Sequence, residues 1–383
     1  MCNNVETLPA EPLAKFSIKP EYRVTPPPSP TMRNVLRAAL IALAGTLPAF
    51  SAEDLIYRLP TENDALFRNA DEDFYMYCER WVDGKLTKPY QAGTYGYTRT
   101  PIKAHNGTQV FTQLHEGIDI KPVRRDAEGE PLDEVHPVAP GVVAYVCDNA
   151  GASNYGKYVV IAHNTPEGTI YSLYAHLKTT TCETGQQVTY GDTIGILGYT
   201  GKGIPNNVRA HCHLELCLMV HSEFYKFGPA ANKHGLFHGH NLIGFNAADA
   251  LLACKDGRAF SIEAYFATLE EHYRVRVPRV EGMDILERHP FLYKGDWSRE
   301  TPALEIAFTA AGLPIAIYPS ATETTTPTVT RCKPMPVVQK HCTSGRINGN
   351  SKTAHLTASG KTFISRFLWK EAPQQAPAPP EAP

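Results

Sequence analysis

From Gly93 to about residue 220, short runs of Val, Ile, Tyr and Thr alternate with Gly, Asn, Asp and Pro. "GVVAYVCDN", "GKYVVIAHN", "GTIYSLYAHL", "TIGILGYTG" and "HCHLELCLMV" are such runs. β-branched and aromatic runs of this length, bounded by turn formers, predict short antiparallel strands in two packed sheets or a barrel. Beyond residue 220 the pattern changes. A Gly- and His-rich loop, "KHGLFHGHN", precedes "NAADALLAC", which predicts a short helix with Asn246 as its N-cap. "FSIEAYFATLEEHY", residues 260 to 273, predicts a second helix, and "ALEIAFTAAGLPIAIYP" fits helix or strand. "SATETTTPTVT" reads as a loop, and "HLTASGKTFISRFLW" predicts two strands around Ser359 and Gly360. The final "EAPQQAPAPPEAP" is Pro/Ala-rich and is expected to be disordered.

With 383 residues, 43% of them hydrophobic, the chain can bury a sizeable core. Its formal net charge of −2 and the lack of any basic run argue against nucleic acid as the main partner, because holding phosphates takes a concentrated basic face. No stretch reaches the ~20 apolar residues of a membrane-spanning helix. The segment "MRNVLRAALIALAGTLPAFSAED" starts at Met32 with Arg33 and Arg37, continues through a short apolar stretch and ends in small residues at Ala49, Ser51 and Ala52. This order reads as a secretory signal peptide over residues 32–51, the alternative being a buried N-terminal helix. The Pro-rich residues before Met32 leave both Met1 and Met32 as candidate translation starts. No Cys sits at the cleavage-like site, which argues against a lipid anchor. Of nine cysteines, eight remain once Cys2 is set aside with the leader; an even count in an exported chain permits disulfides, and Cys332–Cys342 is the expected pair.

Two stretches carry candidate chemistry: "QLHEGIDIKP", residues 113 to 122, and "RAHCHLELCL", residues 209 to 218. Read as a strand, the first places His115, Gly117 and Asp119 on one face, with Gly117 leaving space between the two polar groups. The second places His211 and His213 on one face and turns Cys212 away. Should the strands be neighbours, imidazoles and one carboxylate converge as a set suited to Zn²⁺ with an open position for water. Each motif alone is weak, since isolated strand histidines are more often surface or core residues.

Together with "SLYAHLK" between them, the motifs resemble the lysostaphin-like (LytM-type) zinc metallopeptidases that cut peptidoglycan peptides. The resemblance covers about residues 93–220 and rests on "GTYGYTRT", "LHEGIDI", "PVAPGVVAYV", "YGKYVVIAHN", "TIYSLYAHL", "GQQVTYGDTIGILGYTG" and "AHCHLEL", in that order. It implies one Zn²⁺ per chain held by His115, Asp119 and His213, with His211 and His176 as non-ligand active-site histidines. No HExxH motif supplies a glutamate base, so His211 is expected to act as general base and His176 to stabilise charge on the substrate oxygen. The implied fold is mainly β, a small antiparallel β-sandwich or barrel-like catalytic domain of the duplicated hybrid motif type, with a mixed α+β C-terminal extension. Expected boundaries are a leader over 1–52, a strap over 53–92, a metallopeptidase domain over 93–254, a C-terminal region over 255–370 and a tail over 371–383. Peptidoglycan peptides are the expected partner, with a regulatory protein through 255–370, no stable membrane span after signal cleavage, and a periplasmic or secreted location. The segment "GKGIPNNVRAHCH" departs from the family's short turn before HxH, which puts substrate preference in doubt.

Other residues have plainer readings. His234, His238 and His240 lack a carboxylate partner and read as structural or surface histidines. His163 ends a strand and reads as a packing or turn residue. Glu215 shares a face with His213 and is either an orienting group for that ligand or a surface carboxylate. Competing functions are a catalytically silent relative that binds the cell wall or regulates a hydrolase, and a His-phosphorylated carrier. The complete residue set argues against the first, and the export signal and Asp119 against the second.

Overall fold

The computed structural model describes residues 55–224, 234–280, 283–296 and 299–368. The expected signal peptide and the Pro/Ala-rich tail lie outside the described residues. The architecture is predominantly β. A hairpin of Gly96–Lys103 (β1) and Gln109–His115 (β2) leads into Ile118–Ile120 (β3). Then come Gly141–Cys147 (β4), Lys157–Thr165 (β5), Gly168–Leu177 (β6), Gln187–Val188 (β7), Cys212–Met219 (β8) and Leu242–Phe245 (β9). They form one seven-stranded sheet in the order β7-β4-β5-β6-β8-β9, with β3 also paired to β8. Among the described residues no sheet closes into a barrel.

Both faces of the central strands are buried, which explains their near-continuous apolar runs. Alternation along β5 sends Val159 and Ile161 into a core that reaches from Leu55 to Phe367. Tyr158 and Val160 point the other way, into a smaller cluster with Cys217, Met219 and Leu242. On β8 the same alternation puts Cys212, Leu214, Leu216 and Leu218 in the large core and leaves His213 and Glu215 on the opposite face. "TIGILGYTG" holds only a two-residue strand, Gly195–Ile196, in a three-stranded sheet with Thr179–Thr180 and Glu134–Val135.

The segment before β1 adds to this sheet. Tyr75 bridges Ile120, the Met76 amide donates to Asp119 O at 2.8 Å, and the Lys121 amide donates to Phe74 O at 2.8 Å. Phe74 is fully buried. The strand that carries Asp119 is therefore held from both sides.

The C-terminal region forms a second, four-stranded antiparallel sheet of Tyr273–Pro278 (β10), Ala303–Phe308 (β11), Pro314–Ser320 (β12) and Thr328–Cys332 (β13) in the order β12-β11-β10-β13. The ambiguous "ALEIAFTAAGLPIAIYP" is thus the β11–β12 hairpin. The helix Ala247–Ala253 (α1) forms as expected, with the Asn246 side chain accepting from the Ala248 amide at 3.2 Å. The second helix is shorter than expected, Ile262–Thr268 (α2), capped by Ser261, because Tyr273 starts β10. Of the two strands expected around Ser359 and Gly360, the first is a two-residue strand, His355–Leu356, paired with Ile347–Asn348, and the second does not form; Ala358–Leu368 is a helix (α3). Gly360, Phe363, Ile364 and Phe367 fall on one helical stripe and are buried, the two phenylalanines against Phe308 at ring distances of 5.7 and 5.5 Å. All eight described cysteines are free, so the expected Cys332–Cys342 bridge is not made; the Cys342 thiol lies 3.5 Å from Gln339 O.

His163 is fully enclosed in the large-core face of β5, with Nδ1 2.8 Å from Pro140 O and Nε2 2.7 Å from Ser172 Oγ. A carbonyl only accepts, so Nδ1 carries a hydrogen, and burial favours the neutral ring. Burial lowers its pKa to about 4. The unfolded chain titrates near ~6.5, so His163 contributes stability above that pH and loses it as pH falls toward 4, by up to about 1.4 kcal/mol per pH unit. Replacing His163 by Gln should flatten the fall in unfolding free energy between pH 6 and 4.5 by about one proton's worth. An unchanged slope in denaturant titrations at several pH values would show that the ring is not the group responsible.

Candidate metal centre

β8 lies between β6 and β3, with His213 opposite Ala175 on one side and Asp119 on the other. β2 ends at His115, and a sharp turn through Gly117 brings the chain into β3. A Cβ on Gly117 would stand 2.4 Å from Leu214 O and 3.0 Å from His213 Cε1. Gly117 is thus needed for close approach of the β8 backbone, and the space it leaves is filled by that strand rather than by an ion.

Three donor atoms converge. His115 Nε2 lies 3.0 Å from Asp119 Oδ1 and 3.1 Å from His213 Nδ1, and His213 Nδ1 lies 2.9 Å from Asp119 Oδ1. All three residues are buried, and among the described residues they are the one group with metal-site geometry. Beside them, His211 Nε2 is 3.4 Å from Asp119 Oδ1, and the His176 ring is 4.8 Å from that of His211 and 5.7 Å from that of His213.

The other nitrogen of each ring is committed away from the centre. His115 Nδ1 bonds Thr94 O at 2.9 Å, His176 Nδ1 bonds Thr200 O at 2.8 Å, and His211 Nδ1 bonds Arg209 O at 2.7 Å. His213 Nε2 bonds the buried carboxylate of Glu215 at 2.8 Å. Because carbonyls and carboxylates only accept, these nitrogens carry the hydrogens and the opposite lone pairs face inward. His115 and His213 then oppose lone pairs at 3.1 Å, an arrangement that needs a cation or an extra proton between them. A tetrahedral zinc with ligands at ~2.0–2.1 Å would separate them by roughly 3.3 Å, so the donors fit such an ion in identity, number and spacing.

The charges agree. Burial opposes the charge of Asp119, but His115, His211 and Arg99 outweigh it and hold the carboxyl well below the usual carboxylate range. Burial lowers the pKa of His115, of His176 well below its ordinary value, and of His211 to about 4. Burial also disfavours charge on His213, yet its bonds to Asp119 and Glu215 raise it to about 10: without a metal, this ring takes up the proton that the site demands. His176 adopts a left-handed backbone, φ 63°, rare for a non-glycine residue and frequent at functional sites.

Two supporting residues complete the centre. Glu215, one of the two readings left open above, is buried and not on the surface; its Oε1 also accepts from Tyr155 OH at 2.9 Å. Arg99 on β1 was not recognised from the sequence: its guanidinium lies 2.6 Å from Asp119 Oδ2 and leaves Oδ1 for the centre. Only the fold of the β1–β2 hairpin brings it there. Cys212 packs in the large core, and His163 is a packing residue. His234, His238 and His240 form no metal-like group among the described residues. The centre opens into a cleft of about 500 Å³ lined also by Glu116, Asn154, Tyr155, Lys202, Ile204 and Arg209.

Residues 113–223 match peptidase family M23. Among solved structures, a zinc-containing peptidase from Vibrio cholerae is 22% identical, over 43% of this chain and 37% of that one, with a TM-score of 0.26. A putative glycyl-glycine endopeptidase from Ruminococcus gnavus is 24% identical over 38% of this chain and 48% of that one, TM-score 0.25. The catalytic domain of lysostaphin from Staphylococcus simulans is 22% identical over 32% and 69%, TM-score 0.22. The chain thus covers little more than a third of the Vibrio cholerae protein. No curated protein matches the chain.

Substituting Glu215 by Gln removes the charged partner of His213 and should weaken zinc binding about 10–100-fold. Gly117→Ala should weaken it at least as much by pushing β8 away. Competition against a chromophoric chelator measures both, and wild-type affinity in E215Q would rule out the orienting role.

Proposed function

We propose that this chain, whose residues 113–223 form a domain of peptidase family M23, is an exported zinc-dependent endopeptidase that hydrolyses peptide bonds in peptidoglycan stem peptides or cross-links. The observation that carries the reading is the inward set of lone pairs on His115, Asp119 and His213 at the floor of an open cleft. One Zn²⁺ held by these three residues would acidify water and polarise the scissile carbonyl.

The remaining chemistry is assigned to this chain's own groups. His211 is the general base: its Nε2 lone pair faces the centre, its Nδ1 hydrogen is fixed on Arg209 O, and its lowered pKa keeps it unprotonated before the reaction. His176 has the same polarity, its hydrogen fixed on Thr200 O. It can therefore steady charge on the substrate oxygen only as the imidazolium, with a proton on Nε2 taken up from solvent. Glu215 and Arg99 hold His213 and Asp119 in place.

The finer fold assignment, a duplicated hybrid motif domain, goes with this reading, as does a location in the bacterial cell envelope, supported by the leader pattern of residues 32–51. Among the described residues no helix is long and apolar enough to cross a membrane. The second sheet and its helix, within residues 255–370, present the surface proposed for a regulatory protein.

Purified peptidoglycan digested with the protein should yield new peptide ends, identified by mass spectrometry, that vanish with a chelator. His211→Ala should lower kcat by about 10²–10⁴ with one zinc per chain retained, whereas His115→Ala should lose the metal. Intact peptidoglycan with the zinc-loaded wild-type protein would defeat the endopeptidase reading, and full turnover by H211A would remove the general base.

A further inference from the structure

The loop before β8 carries Lys202 and Arg209 to the rim of the cleft. It is held in place: Arg125 donates to Asn207 O at 2.8 Å, and the Asn207 amide donates to Glu128 O at 3.2 Å. Arg209 ends a 3₁₀ turn, Asn207–Arg209, whose next residues enter the metal centre. Its carbonyl holds His211, while its side chain turns back over the Tyr77 ring with the guanidinium 4.9 Å from the ring centre. Tyr77 follows Met76 in the segment paired with β3, so the guanidinium is braced between two fixed pieces of backbone.

This guanidinium has no anionic partner among the described residues, and its Nε is buried without a hydrogen bond. A charged group with an unsatisfied buried donor is costly, and an anion that accepts from its remaining N–H groups offsets part of that cost. Of the cleft's other charges, Arg99 pairs with Asp119 and Glu215 accepts from His213 and Tyr155, which leaves the exposed Glu116 as its uncommitted carboxylate among the described residues. Lys202, exposed on the same loop, makes no ion pair among the described residues. The uncommitted charge of the cleft, Arg209 and Lys202 against Glu116, is net positive, and Arg209 stands two residues before His211.

We propose that Arg209, with Lys202 beside it, anchors a carboxylate of the substrate, so that the enzyme selects acidic peptides bearing a free carboxylate next to the scissile bond. This rests on the cleft being a peptidase site. The planar guanidinium can donate to the carboxylate from its two terminal nitrogens while its face stays on Tyr77, which a lysine cannot do.

The test uses two synthetic stem peptides that differ only in one group flanking the scissile bond, a free carboxylate in one and a carboxamide in the other. The zinc-loaded wild-type protein should cut the carboxylate form with kcat/KM higher by an order of magnitude or more, mainly through KM. Arg209→Gln should bring the ratio near one, Arg209→Lys should leave it intermediate, and Lys85→Gln, on the separate hairpin Arg80–Val82 and Lys85–Thr87 outside the cleft, should keep the wild-type ratio. Equal cutting of both peptides by the wild-type protein overturns the anchor even if every variant misfolds, and so does an unchanged ratio in R209Q. If neither peptide is cut, the peptidase reading fails separately. Calorimetric affinities of the same pair for the zinc-loaded protein then decide the anchor, with equal affinities overturning it.

Discussion

Four hydrogen bonds that point away from the metal centre determine what the centre is. Thr94, Thr200 and Arg209 offer backbone carbonyls, Glu215 offers a carboxylate, and each takes the hydrogen from one imidazole. Every ring is thereby locked in the tautomer that turns a lone pair inward. Remove these acceptors and the same residues would be buried histidines with free choice of tautomer, satisfied by one another. The ordering lies in the backbone, and that is why the surrounding loops matter as much as the residues they carry.

The sheet supplies those acceptors at fixed positions. β8 brings His213 beside Asp119 through the β3 pairing, and the chain before β1 clamps the far edge of β3 through Met76 and Phe74. The left-handed residue His176 ends a long strand and aims its ring across at His211. The unfavourable parts of the arrangement, a left-handed backbone at His176 and buried charges, are tolerated because a large continuous core holds the frame.

Much of the centre was legible in the sequence, because its residues lie on strands, where a period of two states which side chains share a face. His211 with His213 needed little more than that rule, whereas His115 and Asp119, read as one strand, lie on β2 and β3 either side of the turn through Gly117 and meet beside His213. Gly117 was legible as special but for the wrong reason, since which neighbour fills the space beside a glycine depends on pairing far along the chain. Arg99 and the burial of Glu215 depend on contacts across the hairpin and the sheet, which local pattern does not encode. The helix Ala358–Leu368 was misread because Ser359 and Gly360 resemble a turn, while the stripe of Gly360, Phe363, Ile364 and Phe367 acquires meaning only against Phe308.

The large core runs without a break from Leu55, ahead of the first hairpin, to Phe367 in the last helix. Phe260 and Phe266 lean on Phe245 of the central sheet, and His289 lies against Gly168 at the β5–β6 turn. A crossover that joined the first sheet to a different C-terminal half would leave two greasy faces without their mates. In mechanical terms the two sheets share one core, so a cut between them would bare apolar surface on both sides.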